Sequence, residues 1–192
     1  MKKTIRNILL LSALVFCLCL VGACGTGGGN GGAAPTGGAE ATGTVTPFVT
    51  EDIYGTAYTE ALFSDCDLTM VNLFTTWCPP CQEEMPELER LNGELADRNA
   101  QVIGVVLDTM DDPDGEVLAA AVELAESTGV TYPLLVCTED LMPDVVASAE
   151  YVPTTVFVDR SGNLVGETVV GAHSLDEWRD IVDGVLAGLQ EA

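Results

Sequence analysis

Basic residues are scarce. Seven Lys and Arg stand against thirty Asp and Glu in 192 residues, for a formal net charge of −23. Lys2, Lys3 and Arg6 take up three of the seven, so the chain beyond residue 6 has no lysine and only Arg90, Arg98, Arg160 and Arg179. Nucleic acid is excluded as a partner, because phosphate binding works through Lys and Arg displacing counterions. A basic patch on anionic lipid is excluded for the same reason, so any membrane contact has to be apolar or covalent. Histidine is reduced to His173, too few for a histidine-rich metal centre. No dinucleotide fingerprint lies between a strand and a helix, and there is no P-loop, so no cofactor is expected. No period of 20–50 residues recurs, which rules out a solenoid. No apolar run reaches the roughly 20 residues of a spanning helix.

The apolar run that does exist, Ile8 to Val21, follows the basic Lys2-Lys3-Arg6 start and precedes small residues. That is the layout of a secretory signal. Val21-Gly22-Ala23-Cys24 resembles a bacterial lipobox, with Val where Leu is commoner. It implies cleavage after residue 23 and a diacylglycerol anchor on Cys24, while Cys17 and Cys19 fall in the discarded leader. Nine of the twenty residues from 25 to 44 are Gly. Such a stretch has much backbone entropy to lose and little surface to bury, so residues 24–46 read as a tether of about 25 Å. The folded domain is expected over 47–192, with room for one core.

Within it, apolar runs at Met70–Phe74, Gln101–Leu107, Tyr132–Val136, Thr154–Val158 and Leu164–Val170 read as strands. Helices are expected from Pro79 through a kink at Pro86, at Val117–Ala125 ending near Gly129, at Leu141–Glu150, and from a Ser174 cap to about Leu189. The last two strands flank Arg160-Ser161-Gly162-Asn163 and form an antiparallel pair. A small hairpin is expected around Tyr54-Gly55. Unbroken apolar strands alternating with helices describe an α/β sandwich whose mixed sheet is covered on both faces.

Trp77-Cys78-Pro79-Pro80-Cys81 ends one strand and opens a helix, the setting in which Cys-x-x-Cys carries redox chemistry. Two thiols one turn apart can close a small disulfide, and the first sits where helix N–H groups favour a thiolate. Half a zinc site is the competing reading, but there is no second Cys-x-x-Cys to complete it. A purely structural disulfide would close too short a loop to stabilise much.

The strand Val71-Asn72-Leu73-Phe74 through Cys81, Pro86 beyond it, Val152-Pro153-Thr154-Thr155, and Val170-Gly171-Ala172 together resemble the thioredoxin fold. With the lipoprotein-like start and an extra helix and strand between Leu107 and Val152, the chain is similar to the TlpA/ResA branch of extracytoplasmic thiol-disulfide oxidoreductases. The resemblance implies a three-layer α/β/α domain with Cys78 as nucleophile and Cys81 as resolving thiol. It implies that Pro153 is cis beside the sulfurs, that the Val152 backbone pairs with substrate, and that Trp77 shields the site. Where thioredoxin has a buried Asp this chain has Asn72, which cannot shuttle protons. The ResA type places a Glu three residues after the second Cys, and Glu84 stands there. The implied partners are disulfide-bearing exported proteins such as apocytochromes, a membrane thiol donor of electrons, and the membrane itself through Cys24.

Pro79 and Pro80 donate no N–H, and Glu83 and Glu84 add negative charge. Both effects raise the Cys78 pKa and make the couple reducing, which favours a reductase over an oxidase acting through the same residues. A peroxidase pattern, Pro-x-x-x-Thr-x-x-Cys, is met at Thr75 but fails at Val71. A copper carrier of the Sco type would space its cysteines by three residues. An oxidising compartment would allow a Cys66–Cys137 disulfide. Parallel strands that place the two at opposite ends of the sheet would leave a gap of about 15 Å, beyond the reach of a bridge, which favours two free thiols. His173, a lone loop residue, is assigned no role.

Overall fold

The computed structural model describes residues 41–112 and 115–191. The leader, Cys24 and the tether up to residue 40 lie outside these. Strands β1 (Val49–Glu51) and β2 (Ala57–Thr59) form the hairpin around Tyr54-Gly55. The main sheet contains β3 (Leu68–Phe74), β4 (Ala100–Val106), β5 (Leu134–Val136), β6 (Thr154–Asp159) and β7 (Leu164–Val170) in the order β5-β4-β3-β6-β7. The β3–β4 and β4–β5 pairs are parallel; β6 runs antiparallel to both β3 and β7. The helices are α1 (Pro79–Leu95), α2 (Glu116–Thr128), α3 (Pro143–Ser148) and α4 (Leu175–Glu191). Strand β5 starts two residues later than the sequence suggests. The Pro133 carbonyl still accepts the Gly104 amide (2.8 Å), but Pro133 has no N–H to continue the ladder.

All seven residues of β3 are buried, because the two-residue period of the strand feeds two cores. Met70 and Phe74 join Val102, Val106, Leu134 and Phe157 beneath α1, α2 and α4. Val71 and Leu73 join Ile103, Val105, Leu135 and Val156 on the opposite face. There the cover is α3, Phe48 and Phe63. This is the three-layer sandwich, with its second helical layer reduced to one short helix and the N-terminal segment. Helix α1 runs unbroken through Pro86, carrying Met85, Leu88, Leu91 and Leu95 into the core.

Neither edge of the sheet is bare. The Ile53 amide donates to the Leu134 carbonyl (2.9 Å), and Thr50 Oγ1 to that of Val136 (2.7 Å), so the β1–β2 hairpin leans on β5. On the other side the chain is held well before Pro47. The Ala41 amide donates to Gly166 O (3.0 Å), Val45 N to Gly162 O (2.8 Å), and Leu164 N to Gly43 O (2.9 Å). Residues 41–45, expected to belong to the tether, therefore run along β7 and its turn. A flanking segment of this kind keeps an edge strand from pairing with another chain.

Candidate active site

The disulfide lies at the C-terminal end of β3, in the middle of the sheet. Cys78 is the N-cap of α1 and accepts the Cys81 amide on its sulfur at 3.3 Å. Pro79 and Pro80 occupy the first helical positions and carry no N–H, so of α1's first three amides only Cys81's can donate. Cys78 and Cys81 are bonded to each other, Cα–Cα 5.3 Å, and both are buried.

The segment leading into the disulfide is pinned from two directions. Asp108, just beyond β4, accepts the Thr76 amide (3.0 Å) and the Thr76 hydroxyl (2.6 Å). Gln82 Nε2 donates to the Thr76 carbonyl (2.7 Å). This leaves Trp77 projecting, 68% exposed, beside a disulfide that is almost covered.

A second loop faces it. The Val152–Pro153 bond is cis, as the resemblance implies. The Val152 carbonyl oxygen lies 3.8 Å from Cys78 Sγ. Tyr151, before it, is exposed. Gly171 donates to the Pro153 carbonyl (2.8 Å) with φ 98°, a conformation open to glycine. So Trp77, Cys78, Val152 and Pro153, far apart in the chain, meet at one end of the sheet.

Glu84 lies one turn beyond Cys81 on the same helix, facing inward, with 2% of its surface exposed. Its Oε1 accepts two donors at 2.8 Å, the His173 backbone amide and the Trp178 indole N–H. Asn72 Nδ2 reaches Oε2 at 3.4 Å and Thr155 Oγ1 at 3.0 Å. Burial raises the Glu84 pKa to about 7, and the three donors restrain the rise. The His173 ring packs edge-on against Trp178, centroids 5.0 Å apart.

Cys66 and Cys137 are free thiols, as expected from their places at opposite ends of the sheet. Burial lifts the Cys137 pKa to about 11. Among the described residues no cluster of three or more His, Cys, Asp or Glu could hold a metal ion.

Sequence reasoning missed Trp178 and the Asp108–Thr76 link, and passed over His173. Trp178 reads as one more apolar residue on the inner face of α4. The available signal was chemical: a buried indole N–H needs an acceptor, and Glu84 was already a candidate.

The AhpC/TSA family model matches residues 43–166. The thioredoxin-like protein YneN of Bacillus subtilis is 29% identical over 114 residues, which cover 59% of this chain and 62% of that one. Thiol-disulfide oxidoreductase ResA of Halalkalibacterium halodurans is 27% identical over 120 residues, 62% of each chain. This chain thus spans about three fifths of the length of these curated relatives. Among solved structures, a thiol:disulfide interchange protein of the thioredoxin family from Chlorobium tepidum superposes with a TM-score of 0.63 at 25% identity. That match covers 76% of this chain and 97% of that one. A secreted Mycobacterium tuberculosis disulfide oxidoreductase shares the fold at TM-score 0.56 and 19% identity, covering 71% and 95%. The matched family model spans most of the sandwich and includes both cysteines of the disulfide, and the chain belongs to the AhpC/TSA family.

Proposed function

We propose that the protein is a thiol-disulfide oxidoreductase that reduces disulfides of exported proteins, held at the outer face of a bacterial membrane by a lipid on Cys24. One observation carries the chemistry: a Cys-x-x-Cys disulfide at a helix N-terminus, facing a cis-Pro loop across 3.8 Å. The relatives named for thiol-disulfide exchange support the same reading.

In the reduced protein the Cys78 thiolate attacks one sulfur of a substrate disulfide, and the other substrate sulfur leaves as a thiolate. The backbone of Val152 pairs with the substrate chain as an added strand, and Trp77 screens one side. Cys81 then gives its proton to Glu84 and attacks Cys78 Sγ. The second substrate thiolate departs and takes a proton. Two electrons have passed from the Cys78–Cys81 dithiol to the substrate, and a membrane thiol donor restores the dithiol. The helix start supports the reducing direction. A lone amide, that of Cys81, is left to stabilise the Cys78 thiolate. A thiolate with few donors has a high pKa, and its couple is reducing.

The test is the reduction potential of the couple in the full chain, equilibrated with redox buffers and read by mass spectrometry of the peptide carrying both cysteines. A value at or below about −270 mV, the thioredoxin range, is expected. A value near −120 mV, that of a strong oxidant, would make the protein an oxidase. In parallel, Cys81→Ser should accumulate the mixed disulfide on Cys78; failure to trap any would overturn the exchange mechanism itself.

A further inference from the structure

The Glu84 carboxylate is held asymmetrically. Both close donors, the Trp178 indole N–H and the His173 amide, converge on Oε1 at 2.8 Å. Oε2 has only the 3.4 Å contact to Asn72. Trp178 is fully buried at the start of α4, so its N–H has no water to fall back on. The helix start that carries it is fastened by a capping box. The Ser174 amide donates to Glu177 Oε2 (2.8 Å), and the Glu177 amide returns to Ser174 Oγ (3.4 Å).

We propose that Trp178 is a positioning residue for the exchange reaction. Its indole N–H and the His173 amide fix Oε1 in the ionised form and leave Oε2 as the atom that takes the Cys81 proton. The inference rests on the role given above to Glu84. The physical reason is a competition. Burial alone would keep the carboxyl protonated and useless as a base, and donors aimed at one oxygen restore the charged form without blocking the other. Neutral Asn72 and Thr155 face Glu84 from β3 and β6. The titratable groups around it are Cys81 on its own helix, Tyr132 ahead of β5, and His173 before α4, with Glu177 beyond that ring at 3.9 Å. Burial pushes the Tyr132 phenol well up, so it stays neutral throughout the working range. The His173 ring packs on Trp178 and has Nδ1 3.9 Å from Glu177, and its backbone N–H is the donor to Glu84.

Two replacements remove the donor. Trp178→Phe does so with loss of volume. Benzothienylalanine at 178, with sulfur in place of the N–H, keeps the shape. The reporter is the infrared carbonyl band of the protonated carboxyl, titrated in the full chain with the disulfide closed and assigned by its absence in Glu84→Gln. The rate of mixed-disulfide resolution is followed over the same pH range. Both variants should move the midpoint of the band alkaline by about one pH unit, a tenfold change in proton affinity. The pH–rate profile should move with it. A midpoint that stays put in the isosteric variant overturns the positioning role while leaving Glu84 as the base. A wild-type resolution profile that Glu84→Gln does not alter overturns the role of Glu84 itself.

Discussion

Glu84→Gln should change how stability depends on pH, with a sign that runs against intuition for a carboxylate. Its folded-state pKa is raised, from about 4.5 to about 7, by burial. The folded protein therefore holds the proton more tightly than the unfolded chain. The resulting stabilisation is fully present below about pH 4.5 and is lost as pH rises through 7. A shift of about 2.5 pH units at about 1.36 kcal/mol each gives roughly 3 kcal/mol over the whole range. Between pH 5 and pH 8.5, where an acidic protein is easily handled, linkage leaves about 2–3 kcal/mol. Glutamine has no such proton to lose. Its side-chain oxygen can still accept from His173 and Trp178, while its NH2 takes the place of Oε2 beside the Asn72 Nδ2 donor. That contact costs the same at every pH, so the pH-dependent part of the change comes from the charge. Relative to wild type, Glu84→Gln should gain about 2–3 kcal/mol between those two pH values. The assay is urea unfolding of both proteins at several pH values with the disulfide closed. The many other carboxylates titrate alike in the two proteins and cancel in the difference. A stability difference that does not vary with pH would refute the reasoning, because it would mean that Glu84 keeps an ordinary pKa in the folded state.

Two further outcomes follow from packing and burial. A Cβ at Gly104 would stand 2.5 Å from Leu134 Cδ2 and 3.1 Å from Phe74 Cε1, both in the core. Gly104→Ala should therefore cost about 1–3 kcal/mol in denaturant unfolding, and a neutral result would show that the β4–β5 face is loosely packed. Cys66 is half-buried, whereas Cys137 is buried and raised to about pKa 11. Timed alkylation of the oxidised native protein near pH 8 should label Cys66 first and Cys137 only on unfolding; equal rates would contradict the burial of Cys137.

Most of the sandwich was legible because its signals are local. The apolar run of β3, the Cys-x-x-Cys at the start of α1, the Arg160–Asn163 turn between β6 and β7 and the Ser174 cap each lie within a few residues. The extension of the fold back to Ala41 was hidden, because glycine-rich composition masks a segment that pairs through its backbone alone. The site divided in the same way. Cys78, Cys81, Trp77 and Pro153 announce themselves by motif. The environment of Glu84 does not, since its donors Asn72, His173 and Trp178 come from β3, the β7–α4 loop and α4. Packing brings them together, and nothing in their spacing along the chain encodes that.

The choice of an amide at position 72 becomes intelligible once that environment is known. Asn72 donates to Thr155 and approaches Glu84 Oε2 at 3.4 Å. An aspartate there would place a second carboxylate within hydrogen-bonding range of the first, in a pocket closed to water. Two like charges so close cannot both ionise cheaply, and one carboxyl would hold its proton through neutrality. Thr155 Oγ1 would also lose a donor. The amide avoids both consequences: it satisfies the hydroxyl and leaves the pocket with one carboxyl to titrate. Asn72 and Glu84 are then two halves of one arrangement, in which the strand supplies neutrality and the helix supplies the carboxyl proposed above as the proton acceptor.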